Sequence, residues 1–513
     1  MTIHTGAHVR EDRTLECDVC VIGSGAGGAV VAQRLATAGK SVIVLEAGGY
    51  HVSARFDMTE ANMFSRLYQE QGGRATADQS MAILQGRAVG GTTVVNWTTC
   101  FRTPERVMQH WAEHHGVEGL THAALVPHWE EIERRLNVQA MRLDQVNANN
   151  LVTWRGLDAL GWHKDLLFRN VKNCAHTGYC GMGCVIDAKQ SMLVTYIPEA
   201  VRAGAEVYAN AWVERLTHDH RHVTGVIARV RDPETDRLNG RTITVRARAT
   251  VLAGGAINSP AVLLRSGLDP SGRTGKRTFL HPAVGAVGVH AERIEPFVGS
   301  PQYVYSDEFV VREDGGMPFL IEGAPMFPMT LGSIGNALGA ERHAQMELLP
   351  YSSLTGVLLH DGFDTSDPDE GASISIGSGG RPVIDYKWTP RLSRALRDAC
   401  AAAMRIQLAA GARQTFTSHG VYASSADEID RRLDAARWGP CEVPVFVAHC
   451  MGGCAMGTDP ARSVVDSRTL RHHAMDDLFV IDGSVFPTAC GVNPQISIYG
   501  LARWGAEHVL GAL

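Results

Sequence analysis

The sequence predicts an α/β protein, and two observations carry that reading. Residues 17–22 (CDVCVI) form a short apolar run rich in branched residues, followed at once by a glycine-rich turn and a helix-like stretch. A second apolar run, 41–45 (SVIVL), closes on an acid, Glu46. Strand, glycine turn, helix, strand and acid in that order make a Rossmann-like dinucleotide-binding unit.

Each part of the unit has a physical task. The turn reads Gly23-Ser-Gly25-Ala-Gly-Gly28. Gly23 permits the tight bend, Gly25 lets backbone N–H groups approach a pyrophosphate, and Gly28 lets helix and strand pack closely. The helix over 29–38 places Val31, Leu35 and Ala38 on one face and turns its N-terminus toward the anion. Gly39 ends it. Glu46 is placed to accept hydrogen bonds from a ribose, and an acid there disfavours a 2′-phosphate, hence NADP. FAD and NAD both satisfy this much.

Composition narrows the class. The chain has 513 residues, enough for about three domain-sized units at roughly 150 residues each. A core of that size needs no disulfides. The formal net charge is −6 and no basic run stands out, so nucleic acid is not an expected partner. No apolar stretch reaches the length of a membrane span. Residues 1–16 are polar and lack the apolar stretch of a secretory signal, which makes the cytoplasm the expected location. The eleven cysteines are odd in number and scattered, unlike a disulfide framework.

Further glycine clusters decide between the cofactors. One is Gly86-Arg87-Ala-Val-Gly90-Gly91-Thr92-Thr93-Val-Val95-Asn96; another is Gly254-Gly255-Ala-Ile-Asn258-Ser259-Pro260, leading to Ser266-Gly267. Near the C-terminus stand His449-Cys-Met-Gly-Gly453, Asp482-Gly483, and Gly491-Val-Asn493-Pro494 ahead of a helix-like segment. In this order the motifs resemble those of the glucose-methanol-choline (GMC) oxidoreductases, closer to the cholesterol oxidase and long-chain alcohol oxidase type than to glucose oxidase. Asp269 departs from the glycine that many members carry. The middle of the chain, about 285–440, has no motif that can be placed.

The resemblance implies FAD, held in a discontinuous Rossmann-like domain, beside an α+β substrate domain built on an antiparallel sheet. The implied division is 1–285 for the first part of the FAD domain, with a lid segment at about 105–195, then 286–444 for substrate and 445–513 for the return. The implied cofactor contacts are Gly23, Gly25, Gly28, Glu46, Arg87, Gly90, Gly91, Thr92, Asn96, Val213, Asp482, Gly483 and Asn493. His449 is the implied base and Asn493 its partner. A histidine can take an alcohol proton near neutral pH, while an amide N–H holds the developing alkoxide. Covalent relatives carry the flavin on a histidine where this chain has Val95, so a non-covalent flavin is expected.

Cys174, Cys180 and Cys184 match the spacing of a three-cysteine run that binds a 3Fe-4S cluster in some relatives, but Val185 replaces the proline that follows there. A glycine-rich loop with buried thiols is the preferred reading, and no metal ion is expected. The expected reaction is oxidation of an apolar or aromatic alcohol to an aldehyde or ketone, with O₂, a quinone or a cytochrome as electron acceptor. The alternatives are a sugar or polyol dehydrogenase feeding a cytochrome through a cluster, and a non-catalytic flavoprotein.

Overall fold

Nothing but branched and small residues fills the end of the strand Arg13–Ile22, and its last four positions are buried. It takes the centre of an eight-stranded sheet in a computed structural model that describes residues 3–333 and 337–513. The order is Ile3–His4, Glu206–Tyr208, Val42–Leu45, Arg13–Ile22, Leu238–Leu252, His222–Arg231 and Ala211–Asp219; Leu478–Val480 pairs with the end of Leu238–Leu252. The pairings are parallel except for the two antiparallel hairpins at the Ala211 edge. Val251 thus sits between Val21 and Phe479 in register. Strands buried on both faces read as near-continuous apolar runs, which is why 17–22 and 41–45 were legible.

The helix Ala26–Thr37 lies between this sheet and the C-terminal helix Gln495–Gly511. A β-carbon on Gly27 would stand 2.0 Å from the Ile481 carbonyl oxygen. The return segment therefore presses on the glycine turn.

A second, nine-stranded sheet runs Tyr422–Ala423, Gln414–Thr417, Ala283–Val289, Ser352–Leu359, Phe319–Gly323, Val304–Ser306, Asp165–Leu166, all antiparallel. Helices Pro390–Ala409 and Ala148–Leu160 pack on it and on each other. The buried alanines of Pro390–Ala409, among them Ala395, Ala399 and Ala403, allow the close approach. Val445–Val447 pairs with Ala283–Val289 on one side and, in parallel, with Met81–Ile83 on the other. Strands from 81–83, 165–166 and 445–447 thus belong to this sheet, and the chain crosses between the two sheets several times. The helix His122–Arg135 lies instead on Gln495–Gly511.

A short antiparallel pair joins the halves. Thr278 stands opposite Gly452, and Phe279 opposite Met451. No helix among the described residues is long and apolar enough to cross a membrane.

Candidate active site

The cradle is built first by backbone. Gly23 adopts φ +100°, and a β-carbon there would meet the Ala253 carbonyl at 2.3 Å. A β-carbon on Gly28 would strike the Gly23 oxygen at 2.0 Å. Gly25 differs. Its φ is −74°, and its β-carbon would meet nothing nearer than Gly91 Cα at 3.7 Å. Gly25 is the N-cap of Ala26–Thr37 and supplies no side-chain cap. The first-turn N–H groups are then free for an anion. Gly90 and Gly91 adopt positive φ, and the Gly90 N–H donates to Ser24 Oγ at 2.9 Å. The two glycine clusters lie face to face.

Glu46 closes the far end. Its Oε2 accepts from Ser24 N–H (3.0 Å) and Ser24 Oγ (2.7 Å), and Oε1 from Gly48 N–H at 2.8 Å. A carboxylate has about four acceptor positions, so one remains for a ribose hydroxyl. The Ala211 N–H donates to the Glu46 carbonyl, which starts the strand carrying Val213 beside this acid. The Val213 carbonyl accepts from Arg265. Arg87 is spent on both oxygens of Asp236, and Thr92 Oγ1 accepts the Gly86 N–H. Asp482 takes N–H or O–H from Gly255, Ser259 and Ser484, tying the third glycine cluster to the Gly483 turn. Asn96 donates to Gln495 at 2.8 Å and leaves its own Oδ1 unpartnered. These residues fit a flavin dinucleotide: glycines line the anion end, and an acid waits at the ribose end.

His449 and Asn493 come from separate turns of the return segment. His449 is half-buried, and burial holds its imidazole down at about 4. Its Nδ1 meets His281 Nδ1 at 2.9 Å, and the His281 ring lies 4.9 Å from that of His360. A β-carbon on Gly491, two residues before Asn493, would stand 3.8 Å from His360 Nδ1. Asn493 donates to Glu322 Oε2 at 3.4 Å and keeps Oδ1 free. Glu322 is 1% exposed, and burial pushes its carboxyl up to about 7. Gln302 donates to the same oxygen at 2.5 Å; Oε1 has no partner. Both nitrogens of His360 also lack partners. Buried polar atoms left unpaired are costly, so a cluster of them marks a place for a polar ligand or water.

The motif reading missed His281, Glu322 and Asp361. Their only trace in sequence is a polar residue at the edge of an apolar run: Phe-Leu-His281-Pro, Leu-Ile-Glu322-Gly and Leu-His360-Asp361.

Cys174, Cys180 and Cys184 line one small recess with Lys189 and Ser300. Among the described residues no group of three His, Cys, Asp or Glu is placed to hold a metal ion. Lys189 is buried, held down at about 8 by desolvation, and donates to the carbonyls of Val94, Asn96 and Cys180. It clamps this loop onto the Gly90–Asn96 segment.

The chain matches the sequence models described as GMC oxidoreductase over residues 64–283 and 372–502. It is 32% identical over 499 residues to a GMC-type oxidoreductase of Mycobacterium tuberculosis, covering 96% of this chain and 76% of that one. It is 28% identical over 542 residues to a long-chain-alcohol oxidase of Arabidopsis thaliana, covering 99% and 70%. In fold it is similar to pyridoxine 4-oxidase from Mesorbium loti (TM-score 0.66, 18% identity, 96% and 99% covered). It is also similar to formate oxidase from Aspergillus oryzae (TM-score 0.70, 15% identity, 97% and 98% covered).

Proposed function

We propose, for a chain that belongs to the GMC oxidoreductase family and is an FAD-dependent oxidoreductase acting on CH–OH groups, that His449 is the base and Asn493 the amide that orients the alcohol oxygen. The observation that carries this is that the two C-terminal turns meet, the Cys490 N–H donating to Met451 Sδ at 3.3 Å, among buried, unpartnered ring nitrogens and carboxyl oxygens.

Bound FAD supplies the acceptor for the hydride. The rest is done by this chain. The first-turn N–H groups after Gly25 hold the pyrophosphate, and Glu46 the ribose. Val213, Asp482 and Gly483 frame the remaining length, and Lys189 keeps the Gly90–Asn96 segment in place. Val95, buried and without a nucleophilic atom, supports a non-covalent flavin. Asn493 donates to the alcohol oxygen, and His449 Nε2 removes its proton as the C–H bond gives up its hydride. His449 is neutral above its depressed pKa, so the base form is present across the physiological range.

An apolar or aromatic alcohol is the substrate class this reading favours. The support is the Asn-Pro form of the second catalytic turn and the likeness to long-chain-alcohol oxidases. The test is anaerobic mixing of the holoprotein with alcohols of each class while the flavin band is followed. Bleaching by long-chain or aromatic alcohols is the expected result; bleaching by sugars alone overturns the substrate class. Reoxidation of the bleached protein with O₂ and with a quinone then identifies the acceptor.

A further inference from the structure

The pair Thr278–Phe279 and Met451–Gly452 fixes a side-chain contact as well as a fold. Continuing its register by two residues sets His281 opposite His449. The rings meet Nδ1 to Nδ1 at 2.9 Å. Two nitrogens at that distance share one hydrogen, so the two rings hold complementary tautomers.

Three features show that His281 is held for this contact. Its ring is fully buried, and its Nε2 has no partner. Its backbone lies in the left-handed region, φ +53°, a strained state for a non-glycine residue that persists only where surroundings impose it. The imposing group is Asp361, whose carboxyl accepts the N–H of Leu280 at 3.0 Å and of His281 at 3.1 Å. Tyr386 Oη donates to the same carboxyl at 2.9 Å. The titratable groups around the pair are His360 beside the His281 ring, Arg106 acting on His360, and Asp361 with Glu370 and Tyr386 behind it.

The geometry points to His281 as the positioning residue that keeps the His449 hydrogen on Nδ1 and a bare lone pair on Nε2. This rests on the reading of His449 as base. The Nδ1–H of His449 donates to His281 Nδ1, and His281 carries its own hydrogen on Nε2. The opposite tautomer would present an N–H to the alcohol and leave no base. When the alcohol O–H breaks, its proton goes to His449 Nε2. The C–H bond breaks with it, its electron pair and hydrogen leaving as hydride to the flavin while C=O forms. His449 is then a cation, and its bond to neutral His281 becomes charge-assisted. Burial, with His360 and His449 alongside, holds His281 well below the usual histidine range, so it accepts the hydrogen bond without taking the proton.

The test is ¹⁵N-histidine NMR of the oxidised holoenzyme at pH 7, with His449 assigned by His449→Gln. A protonated Nδ1 and bare Nε2 are expected; a protonated Nε2 overturns the proposal. In stopped flow, His281→Leu should slow flavin reduction by about 10²-fold. Its acid limb should move to lower pH, because the His449 cation has lost its acceptor. A merely structural defect lowers the rate without moving that limb. His281→Asn, whose Oδ1 can accept the same hydrogen, should stay within about tenfold of wild type and keep the limb. Equal losses in His281→Asn and His281→Leu with an unmoved limb overturn the proposal. If His281→Leu loses its flavin, the wild-type NMR and the Asn variant still decide. An unchanged rate in His449→Ala would remove the base assignment, whatever tautomer the NMR shows.

Discussion

The glycine cradle is built mainly from backbone, with the N–H groups of one turn left free. The histidine chamber is built from side-chain nitrogens and oxygens of four distant segments: His281, Glu322, His360 and the 449–493 return. The cradle tolerates almost no side chain, since a β-carbon on Gly23 or Gly28 would strike backbone at 2.3 and 2.0 Å. The chamber is made entirely of side chains, several unpartnered. Backbone recognition is local and rigid. Side-chain recognition depends on the whole fold to bring its parts together, and it costs desolvation, with backbone strain added at His281.

The largest effect should come from the cradle, and it separates two roles that its glycines share. Gly25→Val keeps an allowed φ, and its β-carbon comes no nearer to any neighbour than 3.7 Å from Gly91 Cα, so the apoprotein should fold. The added side chain fills the anion face, and FAD should be absent from the purified protein. Gly28→Val should instead fail to give folded protein, because its β-carbon overlaps the Gly23 carbonyl. Circular dichroism and the flavin absorbance read both. A Gly25→Val protein with full FAD content would remove this turn from the cofactor site.

That contrast also explains what the sequence made legible. The α/β class, the family and the glycine motifs are encoded in contiguous stretches, because a strand, a turn and a helix N-terminus must be adjacent to make a phosphate cradle. The turns that carry His449 and Asn493 were legible as motifs for the same reason, each framed by its own glycine or proline. His281 and Glu322 were not. A lone histidine before a proline and a lone glutamate ending an apolar strand carry no local pattern. Their partners lie 168 and 171 residues away, and only the tertiary fold brings them together. Arg87 and Thr92 show the converse. They sit within a cofactor motif, yet their side chains serve Asp236 and Gly86.

The second-largest effects lie in the chamber. His449→Ala should retain FAD, and flavin reduction by alcohol should fall about 10²–10⁴-fold, the usual cost of losing a general base. Reoxidation should change less. In the wild type the reduction rate should rise as pH climbs through the depressed histidine pKa of about 4 and then level off. A limb near the ordinary histidine value of about 6.5 would mean that the ring is better solvated than its setting implies. Asn493→Ala removes one donor to the alcohol oxygen and should cost less than His449→Ala, about 10²-fold. An Asn493→Ala loss larger than that of His449→Ala, read in the same stopped-flow experiment, would mean that holding the alcohol oxygen matters more than removing its proton and would overturn His449 as the base.

The smallest effect is on stability, and it tests whether burial keeps the Glu322 carboxyl neutral. Burial raises the Glu322 carboxyl from 4.5 to about 7. Between those values the folded state binds a proton that the unfolded state has released, so stability falls as pH rises through this window. The favourable contribution is complete below 4.5 and lost above about 7. At about 1.4 kcal/mol for each pH unit of the window, the full change is on the order of 3 kcal/mol. Glu322→Gln cannot ionise, and its Oε1 can still accept from Gln302 and Asn493. Near pH 5 the variant and wild type should unfold at similar denaturant concentrations. By pH 8 the variant should have gained on wild type by up to about 2–3 kcal/mol, with no change in the slope of the transition. Buried histidines such as His281 and His360 impose the opposite slope at lower pH, but they are common to both proteins and cancel in the difference. A stability difference that stays flat from pH 5 to 8 would mean that Glu322 is ionised in the folded protein throughout. The chamber would then be held by a charged hydrogen bond to Asn493 rather than by a neutral acid.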